Sequence, residues 1–205
     1  MEQGTPEWHA ARLGKATASK INDVMAKLKG GGEAAGRRNY RAQLVAERLT
    51  GEPTETYVND AMRRGSDMEP LAREAYEFLT GADVVQIGFI DHPTIPMSGC
   101  SPDGLIGEKG MLEIKSPNTA THIDWLLGGK VPPEHVNQMR WQMECSGREW
   151  CDFASYDPRL PVELQLFVAP RLWVDFAAVA PIRIEVMTFL AEVNEIVGKL
   201  RAIAG

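Results

Sequence analysis

Apolar residues recur at intervals of three or four positions over the first 80 residues, a spacing that predicts helices. A first helix begins at Pro6 with Thr5 as its cap, and a second begins near residues 17–19 and runs through Met25. A third helix ends at Gly51 and carries four apolar residues at helical spacing, namely Tyr40, Leu44, Val45 and Leu49.

A longer helix is predicted over about residues 59–80, with Gly81 as its end. The residues expected on its apolar side are Leu71, Ala75, Phe78 and Leu79. Helices are therefore predicted to fill the first 80 residues.

The pattern changes to that of β-strands from Val84 onward, beginning with the run VVQIGFI. The runs DGLIG and MLEIK follow and are separated by a turn that contains Gly110, so they are predicted to pair as a hairpin. Helices near 119–128 and 134–146, strands at DFASY and ELQLFVA, and a final helix over about 181–203 complete the pattern. This order predicts an α/β fold in which helices cover both faces of a central mixed β-sheet.

The length and composition are those of one globular domain, which we expect to span residues 1–205. No apolar run is long enough for a membrane span, and the N-terminus has no apolar signal core, so a cytoplasmic protein without membrane contact is predicted. The three cysteines form no C-x-x-C pair, and the four histidines are scattered. Any bound metal should therefore have oxygen ligands.

The net charge of −6 does not by itself favour a nucleic-acid partner. The charge is uneven, however, because residues 1–50 hold nine Lys and Arg against five Asp and Glu, while the remainder holds 13 against 23. A basic N-terminal quarter could face a polyanion, or it could be an ordinary solvated surface.

The stretch SPDGLIGEKGMLEIKSP, residues 101–117, carries the candidate chemistry. Residues two apart in a strand share a face, so Glu113 and Lys115 point the same way while Leu112 and Ile114 point into the core. The hairpin would bring Asp103 beside Glu113, and two carboxylates with an ammonium suit Mg²⁺-assisted phosphodiester hydrolysis. A surface hairpin with a solvated Glu and Lys is the alternative, and the spacing alone favours it.

Several sequence blocks, taken together and in their order along the chain, support the nuclease hypothesis. These blocks are PEWHAARLGKATASKINDVM, MRRGSDMEPLAREAYEFLTG, SPDGLIGEKGMLEIKSP, HVNQMRWQM and YDPR. Together they resemble the phage lambda-type exonuclease family, the YqaJ-like viral recombinases of the PD-(D/E)XK nuclease superfamily. The resemblance covers about residues 5–160 and implies a restriction-endonuclease-like core.

The resemblance implies a metal centre with roles for specific residues. Asp103, Glu113, Glu69 and the backbone carbonyl of Ile114 would hold two Mg²⁺ ions, for which Mn²⁺ could substitute. Lys115 would be the catalytic lysine, and Gln138 would lie near the scissile phosphate. Without the resemblance, Glu69 reads as a solvated acid in the first turn of a helix and Gln138 as a surface amide.

The resemblance also implies a DNA path. Arg12, Thr17, Ser19 and Ser101 would hold the terminal 5′ phosphate, and an arginine fork with hydroxyl groups suits that task. Further DNA contacts would come from Trp8, Lys29 and Met62, the last as an apolar wedge between strands. The alternatives are a helix cap at Thr17 or Ser19, a surface charge at Arg12, and a core position for Met62.

The implied activity is that of an Mg²⁺-dependent alkaline exonuclease encoded by a phage or prophage and acting in the bacterial host. It would degrade the 5′-ended strand of linear duplex DNA and leave 3′ overhangs for recombination. Family members form ring-shaped homotrimers and act with a single-strand annealing protein. The alternatives are a restriction or repair endonuclease with the same acid-acid-lysine set, and a DNA-end-binding scaffold without catalysis.

Overall fold

The computed structural model describes residues 2–30, 32–54 and 60–205, with the side chains of residues 60–62 left out. The helices are α1 (Pro6–Arg12), α2 (Ile21–Met25), α3 (Ala35–Thr50), α4 (Asp60–Thr80), α5 (Thr119–Gly128), α6 (Pro133–Ser146) and α7 (Phe176–Ala204). The strands are β1 (Ala16–Thr17), β2 (Val84–Val85), β3 (Ile90–Asp91), β4 (Ser98–Cys100), β5 (Gly104–Ile106), β6 (Gly110–Lys115), β7 (Trp150–Tyr156), β8 (Leu166–Val168) and β9 (Leu172–Trp173).

The strands form two mixed sheets. In the larger sheet the order is β2-β5-β6-β7-β8, and β9 also pairs with β7. Strands β6 and β7 pair in parallel and are the longest, while β5 and β6 form the predicted antiparallel hairpin with Gly104 opposite Leu112. In the smaller sheet β4 lies between β1, to which it is parallel, and β3, to which it is antiparallel.

Helices cover both faces of the β6–β7 pair. On one face, Leu112 and Ile114 pack with Tyr76 of α4 in a buried apolar cluster. On the other face, Phe153 packs with Met139 of α6 in a second cluster. A third cluster joins α2, α3, α6 and α7 beneath the smaller sheet. The predicted fold class, a central mixed sheet flanked by helices, is confirmed.

Most of the predicted helix ends are confirmed. Thr5 caps α1 through a hydrogen bond in which the Trp8 N–H donates to its side chain. Gly51 and Gly81 end α3 and α4 in left-handed conformations, with φ of 73° and 68°, which a glycine adopts without a Cβ penalty.

Four predicted elements differ in extent. Residues 16–17 form a short strand, so the second α-helix begins later, at Ile21. VVQIGFI is divided into β2 and β3, which belong to different sheets, and ELQLFVA contributes only the three residues of β8. The last helix begins five residues early because the Asp175 side chain accepts hydrogen bonds from two backbone N–H groups and thereby caps it, with Pro181 inside the helix.

The predicted apolar side of α4 is wrong at three of its four residues, because only Ala75 packs against the sheet. Leu71, Phe78 and Leu79 are 44%, 93% and 64% exposed, whereas Ala72 and Tyr76 are the buried residues that contact the sheet. The buried face is narrow because Ala72, a small residue, and Tyr76 fill it. The Tyr76 hydroxyl donates a hydrogen bond to the buried carboxylate of Asp152. The hydrophobic spacing alone therefore selected the neighbouring face.

The C-terminal helix α7 is a core element. Its buried residues form one stripe, which consists of Val179, Ile182, Val186, Phe189, Leu190, Val193 and Val197. This stripe packs mainly on α3, where the ring of Tyr40 stacks on that of Phe189 at 5.4 Å between centroids. Within the described residues, no helix is both long and apolar enough to cross a membrane.

Asp157 anchors the loop that follows β7. Its buried carboxylate accepts hydrogen bonds from the backbone N–H and the guanidinium of Arg159, at 3.1 Å and 2.7 Å to one oxygen. Burial alone would raise the pKa of Asp157, but the hydrogen bonds from Arg159 and Thr119 lower it to about 2. Since Thr119 begins α5, this carboxylate ties the end of the central strand to the next helix.

We predict that Asp157→Asn lowers the free energy of unfolding by about 1 kcal/mol at pH 7, after allowance for solvent screening at the half-exposed Arg159. A folded-state pKa below the unfolded value stabilises the protein above the unfolded pKa. The difference between parent and variant should therefore be constant above about pH 5 and close as the pH falls through 4 toward 2. Urea unfolding at several pH values measures it, and a difference that grows toward low pH would contradict the assignment.

Candidate active site

Two adjoining clefts open beside the C-terminal end of β6. The smaller has a volume of about 610 Å³ and the larger about 1340 Å³. Ser66, Glu69 and Asp103 line both clefts and so form their common wall. The candidate residues divide between the two clefts: Lys115 and Ile114 line the smaller, and Arg12, Thr17 and Ser19 line the larger.

Asp103, Glu113 and Lys115 converge as predicted. The ammonium of Lys115 pairs with Glu113 Oε1, and Asp103 Oδ2 accepts a hydrogen bond from the backbone N–H of Ile114 at 2.6 Å. Glu113 is 0% exposed, so it does not lie on the solvated face that an ordinary surface hairpin would have. A carboxylate is buried only where charged or hydrogen-bonding partners compensate the loss of water.

Helix α6 supplies two of the partners of Glu113. Gln138 Nε2 donates to Glu113 Oε1 at 2.5 Å, and Gln142 Nε2 donates to Oε2 at 2.6 Å. Gln138 was predicted from the sequence, whereas Gln142 was missed. The signal was present, because the two glutamines are four residues apart and so lie on the same side of a helix.

Glu69 reaches the same centre from α4. Its Oε1 accepts a hydrogen bond from the guanidinium of Arg73 at 2.5 Å, and Arg73 also donates to the backbone carbonyl of Asp103 at 3.3 Å. Burial raises the pKa of Glu69, and the charge of Glu113 adds to this while that of Arg73 opposes it. Arg73 was missed, although it lies one helical turn after Glu69.

The carboxylates repel one another. Burial and then the charge of Glu113 hold the pKa of Asp103 well above its ordinary range. Burial alone would lower the pKa of Lys115, but the charges of Glu113 and Asp103 outweigh this and raise it. The lysine is therefore an ammonium. The site has three carboxyl groups, those of Glu69, Asp103 and Glu113, but only two cations, Arg73 and Lys115.

The backbone carbonyl of Ile114 faces the same place. The N–H and C=O groups of one strand residue point to the same side, and the Ile114 N–H points to Asp103. Ile114 also lines the smaller cleft. Carboxylates and a carbonyl are the hard oxygen donors that Mg²⁺ prefers, so the donor set fits this metal. Among the described residues, no three His, Cys, Asp or Glu side chains are already grouped closely enough to hold an ion.

The candidate phosphate ligands also lie together. Arg12 donates to Ser101 Oγ at 3.2 Å and to Ser19 Oγ at 3.5 Å, and the Trp8 indole N–H donates to Ser101 Oγ at 2.9 Å. The guanidinium carbon of Arg12 lies 4.0 Å from the centre of the Trp8 ring, which orients the arginine by a cation–π contact.

The Arg12 guanidinium is well placed to bind an anion. Burial lowers the pKa of Arg12, and among the described residues no carboxylate forms an ion pair with it. Thr17 Oγ1 lies 3.3 Å from Ser19 Oγ. Thr17 makes no side-chain capping bond to the single 3-10 turn Ala18–Lys20 that follows it, and Lys20 makes none to α2. Neither hydroxyl is therefore used as a helix cap; Ser19 is exposed at the larger cleft, whereas Thr17 is only 6% exposed there.

Two predicted DNA contacts are not brought to the site. Lys29 is exposed in the turn after α2 and lines neither cleft. Met62 belongs to α4, but its side chain lies outside the described residues. Two aromatic residues that the sequence did not single out, Trp125 and His135, also line the smaller cleft.

Comparison with known proteins gives the class. A family model described as the YqaJ-like viral recombinase domain matches residues 7–149, so the chain belongs to that family. A comparison with curated proteins finds no significant match.

Solved structures give two further comparisons. The crystal structure of an alkaline exonuclease (LHK-Exo) from Laribacter hongkongensis is 50% identical, with 98% of each chain covered and a TM-score of 0.90, and its complex with dAMP gives the same values. A phage-related exonuclease from Haemophilus somnus 129PT is 12% identical over 91% of this chain and 96% of its own, with a TM-score of 0.69, which shows a common fold.

We predict that Asp103→Asn stabilises the metal-free protein by about 1 kcal/mol, because the amide removes a charge that burial and Glu113 disfavour. In a chain of this size that change raises the melting temperature by about 2–4 °C. Thermal unfolding in EDTA measures it. Asp67→Asn, at an exposed position of α4, is the control and should change little. A lower melting temperature for Asp103→Asn would show that the Asp103 carboxylate does not destabilise the metal-free protein.

Proposed function

We propose that this protein is a metal-dependent alkaline exonuclease that degrades the 5′-ended strand of linear duplex DNA and leaves 3′ overhangs. One observation carries the proposal. The Arg12 cluster consists of Arg12, Thr17, Ser19 and Ser101, and the acid-lysine cluster consists of Asp103, Glu113, Glu69 and Lys115. The larger cleft, at the Arg12 cluster, and the smaller cleft, at the acid-lysine cluster, share Glu69 and Asp103 as a wall. A strand held by its terminal phosphate in the first would therefore present its next phosphodiester bond to the second.

Two Mg²⁺ ions, or Mn²⁺ in their place, are proposed to bind Asp103, Glu113, Glu69 and the Ile114 carbonyl. When bound, such ions lower the pKa of a coordinated water and stabilise the negative charge that develops on phosphate oxygens. The raised pKa of Asp103 supports this assignment, because a cation would relieve the repulsion that now disfavours its charge.

Lys115 is proposed to act as a hydrogen-bond donor at the reacting phosphate. The charges of Glu113 and Asp103 raise the pKa of Lys115, which favours a role as donor over a role as general base. It is 30% exposed toward the cleft, while its partner Glu113 is buried behind it. Its N–H groups can thus orient an attacking water or stabilise the charge on the phosphate. Gln138, which is half-buried, is proposed to contact the same phosphate.

Capture of the DNA end is assigned to Arg12, Thr17, Ser19 and Ser101. The guanidinium and three hydroxyls can donate to several oxygens of a terminal phosphate, which carries more charge than an internal one. Trp8 holds both Arg12 and Ser101 in place and is proposed to border the DNA path. Lys29 and Met62 remain proposed DNA contacts on the strength of family resemblance.

Several wider properties are proposed from family membership. Residues 1–205 would act as one exonuclease domain, in a ring-shaped homotrimer and with a single-strand annealing protein, in the cytoplasm of a bacterial host. The uneven charge supports a ring, because a channel formed by the basic N-terminal quarter would attract DNA although the whole chain is acidic.

The first test compares three substrates in Mg²⁺ and in EDTA: linear duplex with a 5′ phosphate, linear duplex with a 5′ hydroxyl, and closed circular DNA. We expect mononucleotides from the phosphorylated linear duplex in Mg²⁺ alone, and slow or no digestion of the other two. Arg12→Ala is the control for end capture and should make the two linear substrates similar. A nicked circle would instead indicate an endonuclease, and binding without product in every metal would indicate a scaffold.

The second test removes the lysine. We predict that Lys115→Ala lowers the rate of cleavage by about 10²–10³-fold, the loss typical when one donor to a developing negative charge is removed. Binding to a 5′-phosphorylated end, followed by fluorescence anisotropy in Ca²⁺, should persist. Lys109→Ala, an exposed lysine in the turn of the same hairpin, is the matched control and should cleave at the parent rate. Near-parental cleavage by Lys115→Ala would refute its assignment.

A further inference from the structure

Gln142 contacts the acid-lysine cluster from the core side. It lies one helical turn after Gln138 on α6 and is 0% exposed. Its Nε2 donates to Glu113 Oε2 at 2.6 Å, while Oε1 of the same carboxylate is bound by Gln138 and Lys115. Since Gln142 has no exposed surface, it cannot contact DNA directly.

The buried side-chain amide of Gln142 has an oxygen that destabilises the fold. Its Oε1 is buried and finds no hydrogen-bond partner among the described residues. An unsatisfied buried carbonyl oxygen destabilises a fold, so an apolar residue of similar size would otherwise suit this position better. The contribution of the side chain must come from its donor group, which is used on Glu113.

A carboxylate needs such an anchor. The terminal torsion of a glutamate side chain has a broad energy profile, so one fixed oxygen does not by itself set the plane of the group. Oε1 is held by Lys115, which lines the smaller cleft where DNA and metal would arrive and compete for it, and by the half-buried Gln138. Gln142 holds Oε2 from the interior, where nothing can displace it.

We propose that Gln142 is a positioning residue that fixes the carboxylate of Glu113 in the orientation needed to bind the metal. This inference rests on the proposed function, because it gives Glu113 the role of a metal ligand. Groups that orient a metal ligand typically change metal affinity or activity by about 10–100-fold when they are removed. The effect on binding of the DNA end, which takes place in the adjoining cleft, should be small.

The experiment compares the parent with Gln142→Met, which keeps the length of the side chain and removes the donor. Met143→Ala is the matched control, because it creates a defect in the buried side of the same helix without removing a hydrogen bond to Glu113. Three quantities are measured: the Mg²⁺ concentration at half-maximal cleavage, kcat and KM for a 5′-phosphorylated duplex, and the rise in melting temperature that Mg²⁺ causes without DNA.

For Gln142→Met we expect a half-maximal Mg²⁺ concentration raised about 10-fold or more, a lower kcat at an unchanged KM, and a smaller rise in melting temperature with Mg²⁺. Met143→Ala should melt earlier but keep the metal dependence of the parent. Equal metal dependence in Gln142→Met and the parent would overturn the inference. Lack of metal-dependent cleavage by the parent would instead contradict the proposed function.

Gln142→Asn provides a second variant if the methionine variant does not fold. It keeps an amide but shortens the side chain by one methylene, so the donor no longer reaches Glu113 at hydrogen-bonding distance. We expect the same direction of change in metal dependence. A parental response of this variant to Mg²⁺, in melting temperature and in cleavage, would equally overturn the positioning role.

Discussion

The burial of the Glu113 carboxylate is the constraint on which the site depends. A charge at 0% exposure must be matched by donors, and the structure supplies three: Lys115 on the same strand, and Gln138 and Gln142 on α6. The two glutamine contacts fix the position of α6 along the β6–β7 pair. The apolar contacts of Phe153 with Met139 pack the same two elements, so the chemistry and the core determine one another.

The fold was largely predictable because its main signals are local. Turn glycines such as Gly51 and Gly81, and the alternation in MLEIK, lie within single elements. The predictions of secondary structure and burial failed where contacts between residues distant in the sequence determine the structure. The buried face of α4 is chosen by Tyr76 reaching Asp152 on β7, and the division of VVQIGFI follows from pairing with two different sheets. Periodicity carries no information on either contact.

The site was predictable in part for the same reason. Asp103, Glu113 and Lys115 belong to one hairpin, so their convergence followed from strand geometry, whereas Glu69 and the Arg12 cluster could be proposed only through resemblance to a family. Arg73 and Gln142 were missed because each belongs to the site through a hydrogen bond to a carboxylate, that of Glu69 or Glu113, which only the fold reveals. Their spacing of four residues from Glu69 and Gln138 becomes meaningful only once Glu69 and Gln138 are known to belong to the site.

The segment Ser101–Pro102–Asp103 joins the two clefts within a single short piece of chain. Ser101 belongs to the Arg12 cluster and Asp103 to the acid cluster, and two residues span at most about 7 Å. If the protein has the proposed function, this segment fixes the distance between the site that holds the DNA end and the site of cleavage. The distance from the held end of a strand to the bond that is cut would be set by peptide geometry, and so the size of the released fragment would not depend on the base sequence of the DNA.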